Sequence, residues 1–483
     1  MNNETAQPPR QDSAVDPDSG RRIYLMTDLP PEVVAVAFAK TSRSPDPFDQ
    51  IATELTETKS AEFHEKWVVG YGHASVAEHA VLSMAIENVS ILAAKAIEDN
   101  RLASYTEKST RYQVYDPKRV YRPTGIFANP ILSGKYESLI TTLLETYIRW
   151  SEQALDKLKR QNPKPADRSE RMWESRLRAT VCDSIRYLLP TATLTNLGWT
   201  VNARALAAAI RKLGGSPLPE LRAIASELHA AGAAKVPTLL KYCDPDSGRT
   251  EAEHAIARTL MKRIPAPESL MVDSPPAVRI LRYDQDALLR LTCAVAYPNQ
   301  TSDWEALERS LAEWPAGDLL ALLRQSVAPV GPFDALARAF EHLNYIVEIT
   351  VDYGAWRDIQ RHRIATQTPQ ELTPNLGYTV PALIDDLGLR AQFEQLLETS
   401  AATYEALLPD FPHEAVYALM LAFRKRSVFG WNLREIFHFV RLRGAAKGHA
   451  AYRHVAEKLW REVITVHPWL GELLFPLGPD FRL

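Results

Sequence analysis

Apolar and polar positions along this chain fall into patterns that occur twice in the same order. "AEHAVLSMAIENV" at 77–89 shows the partial alternation of a half-buried strand, and "FEHLNYIVEITVD" at 340–352 repeats it. A Glu-His pair, Glu78-His79 or Glu341-His342, precedes each run. Upstream, "RRIYLMTD" near the start and "VRILRYDQ" at 278–285 both read as a strand followed by a helix start. "LLET" at 143–146 and again at 396–399 lies in stretches with apolar residues at i, i+3, i+4 and i+7, the period of an amphipathic helix. "WTVNAR" at 199–204 is answered by "GWNLR" at 430–434, which opens a helix whose Arg434 and His438 share a face.

The offsets between copies are 263 from Glu78 to Glu341, 262 from Arg101 to Arg363, 253 from Leu143 to Leu396 and 230 from Asn202 to Asn432. Order is kept while spacing drifts, because the first copy carries extra polar residues in "KLKRQNPKPADRSERMWES", which reads as a helix–loop insertion. The pattern therefore predicts two homologous α+β units, residues 21–260 and 276–483, joined by a proline-rich linker at 261–275. Residues 1–20, polar and proline-containing with no apolar signal core, are expected to be a disordered tail.

Composition narrows the function classes. With 483 residues, 46% hydrophobic and 24% charged, the chain has the profile of a soluble, multi-domain globular protein. A formal net charge of −3 argues against a nucleic-acid or anionic-membrane surface as its main business, and no stretch is apolar enough to cross a bilayer. Cys182, Cys243 and Cys293 are odd in number and far apart, which fits reduced cytoplasmic thiols; no cysteine or histidine spacing suggests a metal.

Against this neutral background, "DIQRHRIATQ" at 358–367 concentrates Arg361, His362 and Arg363. Alone, the triplet would serve to complement the dipole at a helix end. "RLASYTEKSTRY" at 101–112 reads in isolation as a turn or capping box around "TEKST". Both acquire another meaning together.

The segments "GHASVAEH", "RLASYTEKSTRY" and "LPTATLTNLGWTVNAR" in the first half, with "RHR" and "WNLREIFHFVRLR" in the second, resemble the flavin-dependent thymidylate synthases (ThyX). That family carries H-x-S/T-x-x-E-H, then R-H-R-x-x-S-x-N-E-x-S-x-R-Y, then a W-T-x-N-x-R helix ending in a catalytic arginine. The resemblance implies that each unit is a small twisted sheet flanked by long helices, and that two units in one chain form a pseudo-dimer.

Each half departs from the pattern. In the first, the triplet reads Asp99-Asn100-Arg101 and the late arginine falls on Leu213. In the second, the triplet is intact and Arg443 stands eleven residues past Asn432, but "TPQELTPNLGY" interrupts the E-x-S-x-R segment. Asp358 stands where the family has glutamine, and the arginine kept in the first half as Arg186 meets an apolar residue near Val416. The losses are complementary, as expected if the fused chain keeps one composite site and lets the other decay.

What the resemblance implies about that site can be stated by residue. Arg443 is the expected catalytic cation, with Ser109 a positioning group. Asp358, Arg361, Glu107, Lys108, Ser109, Thr110, Arg111 and Arg186 are expected at the substrate. His73, Ser75, Glu107, Arg361, His362, Arg363, Asn432, Arg434 and His438 are expected at FAD. Guanidinium forks suit the phosphates of both ligands. The implied reaction is reductive methylation of dUMP to dTMP, with methylenetetrahydrofolate as carbon donor and NADPH as reductant, in a cytoplasmic homodimer. Two alternatives stand beside it: methylation of another pyrimidine nucleotide such as UMP, and an inactive nucleotide- or flavin-binding homologue.

Overall fold

Two small antiparallel sheets organise the molecule. In the first, Leu194–Asn202 is the central strand between Val81–Ser90 and Ala103–Glu107. In the second, the order is Ala277–Tyr283, Asn344–Asp352, Arg424–Asn432 and Thr366–Pro369. The computed structural model describes residues 14–16, 21–70, 74–111, 115–116, 118–245, 247–261, 263–264, 271–331, 333–446 and 448–474.

The registers carry the repeat into three dimensions. Val81 faces Asn202 in the first sheet, and Asn344 faces Asn432 in the second. Ser104 faces Thr200, and Thr366 faces Gly430. The sequence offsets of 263, 262 and 230 convert each first-sheet pair into the second-sheet pair. Because a one-residue slip would turn every side chain to the opposite face, shared register means shared inward faces. Trp199 and its counterpart Phe429, and Val201 and its counterpart Trp431, are accordingly all buried.

Both sheets hand over to a helix in the same way. Asn202 caps Ala203–Gly214 by accepting from the Ala205 N–H, and Asn432 caps Leu433–Arg443 by accepting from the Glu435 N–H at 2.9 Å. The expected strand at 278–285 is present as Ala277–Tyr283. Within the N-terminal stretch expected to be disordered, Ala14–Asp16 pairs with Arg21–Ile23. The expected helix–loop insertion is the end of the long helix Pro130–Gln161, a loop, and the start of Glu170–Ile185.

Compact units in space do not follow the halves of the sequence. One unit comprises Met1–Lys108, Tyr121–Pro123 and Leu194–Ala266; the other comprises Ser109–Val120, Thr124–Thr193 and Pro267–Leu483. Much of the first half, including both of its long helices, thus belongs to the unit that holds the second sheet. Inside that unit Pro130–Gln161 packs on Arg390–Leu407, with the rings of Trp150 and Phe393 6.5 Å apart. The contact is reciprocal: the Thr191 N–H donates to the Leu419 carbonyl and the Leu421 N–H to the Leu189 carbonyl, each at 2.9 Å. Positions 189 and 191 are related to 419 and 421 by the offset of 230, so the two bonds are images of one another. Among the described residues, no helix is long and apolar enough to cross a membrane.

Candidate functional site

A cluster of arginines around one carboxylate lies in the second unit, built from both halves of the sequence. Helix Tyr353–Ile359, capped by Asp352, presents Asp358 in its last turn. Arg186 arrives at the end of helix Glu170–Ile185, and Arg443 ends the helix that Asn432 caps. The Asp358 side chain is only 13% exposed. Arg186 Nη2 stands 4.0 Å from its Oδ2, while Arg361 Nη1 and Arg443 Nη1 stand 3.7 and 3.9 Å from its Oδ1. Burial pushes the Asp358 carboxyl up, but Arg186, Arg361, Arg443 and Arg357 outweigh it and hold the group below the usual carboxylate range. The carboxylate is therefore ionised at neutral pH.

The arginines are fixed by their other nitrogens. Arg443 donates from Nε to His362 Nε2 at 3.1 Å and from Nη2 to the Asp358 carbonyl at 2.7 Å. His362 must accept that bond, so its proton sits on Nδ1. Burial first, then the positive charges of Arg443 and His438, push its pKa down to about 3. Arg186 is 2% exposed; Nη1 donates to Thr110 Oγ1 at 3.3 Å, while Nε and Nη2 are buried without a hydrogen-bond partner. Such groups are costly unless a ligand or water meets them.

A second arginine centre adjoins the first. Arg111 forms a two-point fork with Asp183, 2.6 and 2.8 Å, and donates to the Tyr452 hydroxyl at 3.0 Å. The ring of Tyr452 lies 5.8 Å from the Arg111 guanidinium and 5.2 Å from that of Arg443. It thereby touches one arginine from each half of the sequence. His449 accepts from the Ala451 N–H at Nδ1, so Nε2–H donates to the Asp183 carbonyl at 3.1 Å. Burial pushes its pKa down to about 4. Asp183, Tyr452 and His449 were not found by sequence reasoning; their only local signal was the i, i+3 spacing of Asp183 and Arg186.

Beside the cluster opens a cavity of about 830 Å³ lined by Arg361, His362, Arg363, Asn432, Arg434 and His438, with Arg443 at its wall. It gathers the second-half residues expected at a cofactor. Two of them also have structural work: Asn432 is a helix cap, and Arg434 donates to the Leu336 carbonyl at 2.7 Å and pairs with Glu341 at 3.0 Å. The first sheet has the same ion pair, Arg204 to Glu78 at 2.5 Å.

The remaining expected residues are placed as follows. Ser109 Oγ accepts from the Arg111 N–H at 3.1 Å, and Thr110 is buried under Arg186. Glu107 belongs to the first unit, where its carboxylate is buried against Lys95 at 2.9 Å. The Lys108 N–H donates to the Asn196 carbonyl in the same unit. Ser75, also there, lines a 350 Å³ pocket with Phe38, Phe63 and His79. His73 lies outside the described residues.

Comparison with known proteins follows the two halves of the sequence. The sequence profile described as "Thymidylate synthase complementing protein" (Thy1) matches residues 24–238 and again 283–469. A "UPF0159 protein" of Chlamydia pneumoniae is 30% identical over 483 aligned residues, covering 94% of this chain and 91% of the relative. A "Flavin-dependent thymidylate synthase" of Clostridium tetani is 28% identical over 239 residues, 47% of this chain and 88% of the relative. The crystal structure of the flavin-dependent thymidylate synthase ThyX from Helicobacter pylori, complexed with FAD and dUMP, is similar to 40% of this chain and 96% of its own. The identity is 17% and the TM-score 0.31.

Proposed function

This chain belongs to the thymidylate synthase complementing protein family, and we propose that it is a flavin-dependent methyltransferase converting dUMP to dTMP at one composite site. The observation that carries the reading is the assembly of Arg111 and Arg186, from the first half of the sequence, with Asp358, Arg361, His362 and Arg443, from the second, inside one compact unit. Each half is missing what the other supplies. Relatives named flavin-dependent thymidylate synthases, matching about half of this chain, support the flavin requirement.

The chemistry follows from the charges. Uracil C5 is a weak nucleophile until negative charge is drawn toward the C4 oxygen. A guanidinium held beside that edge stabilises the charge as it forms. Arg443 fits the role because His362 and the Asp358 carbonyl fix its orientation before any ligand arrives. His362 is neutral there and leaves the positive charge on the arginine. Arg361, beside Asp358 and 40% exposed, would bring a guanidinium to a phosphate oxygen. None of the three cysteines is poised as a nucleophile: burial, reinforced by the charge of Asp183, pushes the Cys182 thiol up to about 11, and burial raises Cys243 and Cys293 as well.

The cavity beside the cluster fits FAD in size and in donors, since a volume of about 830 Å³ lined by arginines and histidines suits a flavin ring and a diphosphate. Arg361, His362, Arg363, Arg434 and His438 would hold it. When bound, it would supply the hydride that completes the methyl group, with NADPH as reductant and methylenetetrahydrofolate as carbon donor. The reciprocal bonds between 189–191 and 419–421 support an internal two-fold arrangement, so that two chains would make the functional assembly.

Purified protein incubated with FAD, NADPH, methylenetetrahydrofolate and dUMP should form dTMP, and its solution mass should be that of two chains. Absence of product with bound flavin and intact fold would reject the reading. A second reading, methylation of UMP, is favoured by Asp358 in place of the family glutamine. The same assay with UMP decides between them.

A further inference from the structure

Two arginines flank Asp358 and form with it a row whose order matches one nucleobase and opposes another. Arg186 is pinned through Nη1 by Thr110, and its buried, unpartnered Nη2 faces Asp358 Oδ2 at 4.0 Å. Arg443 is pinned through Nε by His362 and through Nη2 by the Asp358 carbonyl, and its Nη1 faces Oδ1 at 3.9 Å. Neither approach is close enough for a hydrogen bond, nor is that of the more exposed Arg361, whose Nη1 stands 3.7 Å from Oδ1. The spacing suits groups that bind side by side to neighbouring atoms of one ligand. The row reads donor, acceptor, donor.

We propose that Asp358 is a specificity residue that accepts the N3–H of a uracil base, with Arg186 and Arg443 donating to the two flanking carbonyl oxygens. The inference rests on the reading of this cluster as a pyrimidine-nucleotide site and adds the group that chooses the base. Uracil presents acceptor, donor, acceptor along O2, N3–H and O4, which complements the row at all three places. Cytosine presents O2, an unprotonated N3 and an amino group. Its N3 lone pair would meet the carboxylate and its amino group a guanidinium, leaving two buried mismatches. A glutamine, as in the family pattern, carries both a carbonyl and an NH₂ and can turn either toward the base. An aspartate held ionised by arginines can only accept.

The test is equilibrium binding of dUMP, dCMP and N3-methyl-dUMP to the flavin-loaded full chain. It is repeated with Asp358→Asn and with Asp358→Gln, and circular dichroism and retained flavin verify the fold. The wild type should bind dCMP and N3-methyl-dUMP about 100-fold more weakly than dUMP, as expected where a buried polar group loses its partner. In Asp358→Asn and Asp358→Gln the dUMP/dCMP ratio should shrink by about tenfold, since the amide can donate to cytosine N3. Equal affinity for dUMP and its N3-methyl analogue overturns the proposal, and the wild-type panel decides this even if neither variant folds. An unchanged ratio in folded variants also overturns it. Absence of binding by any uracil nucleotide overturns both this inference and the functional reading beneath it.

Discussion

The two copies of the triplet segment have the same fold around them and opposite electrostatic states. At 99–101, Asp99 pairs with Lys212 at 2.5 Å and Asn100 donates to the Ile97 carbonyl at 2.8 Å. Nearby, Lys95 is buried between Glu98 and Glu107. At 361–363, by contrast, cations converge on a single carboxylate, and Arg186 is buried with two nitrogens unpartnered. The first copy satisfies itself; the second leaves buried Arg186 nitrogens that a ligand would complete under the proposed function. A site released from function can fill its own hydrogen bonds, whereas one in use must carry the cost of leaving them for the substrate.

The comparison is broken most severely by removing its central cation. Arg443→Ala should lower kcat/KM by about 100-fold or more, the usual loss when a preorganised charge at a reacting oxygen is deleted. Lys212→Ala, at the corresponding end of the first-copy helix, should change it less than about threefold, since its exposed pair with Asp99 contributes little. Steady-state kinetics on both variants measure the contrast.

Acid should separate the copies next, because the two buried histidines whose pKa is driven down furthest, His362 and His449, both belong to the second unit, while in the first unit burial also lowers His64. Each has a folded pKa below its unfolded value of 6.5, to about 3 for His362 and about 4 for His449. The unfolded chain therefore binds more protons in this window. Their contribution is whole above pH 6.5 and is lost as pH falls toward 4. For His449 the loss reaches on the order of 3 kcal/mol. Denaturant unfolding at pH 7.5 and pH 5 should show the second unit weakening, and His449→Gln should flatten that dependence.

Asp183→Asn sharpens the comparison at lower amplitude. Releasing the fork on Arg111 should raise KM for the nucleotide by about tenfold with a smaller change in kcat, the signature of altered ground-state binding. An equal fall in both parameters would instead place Arg111 in transition-state stabilisation. Asn100→Ala should have the smallest effect, within about twofold on turnover, because the residue it mimics in the second copy is His362 while it only caps a short helix itself.

The repeat was legible because apolar alternation and motif order survive drift in spacing, and strand register then preserves them in three dimensions. Arg186, Arg361 and Arg443 were legible as a group because their losses and retentions complement one another across the halves, whereas Asp358 was legible only as a departure from the family glutamine. The boundary between compact units was not, since packing of 124–193 with the second half depends on buried faces that sequence periodicity marks without naming their partners. Tyr452 and His449 escaped for the same reason: their contacts to Arg111 and to Asp183 span hundreds of residues. The structural side of Arg434 could have been read earlier, because Glu78–Arg204 and Glu341–Arg434 repeat the same pair at the same offsets in both copies.

The central claim is that Arg186 and Arg443, from different halves of the sequence, serve one site. A double-mutant cycle on kcat/KM with Arg186→Ala, Arg443→Ala and the double variant tests it most directly. Groups acting on the same bound base should be non-additive, with a coupling energy above about 1 kcal/mol, so that the second substitution costs far less than the first. Additive losses would mean that the two arginines work at separate sites, and would contradict the account.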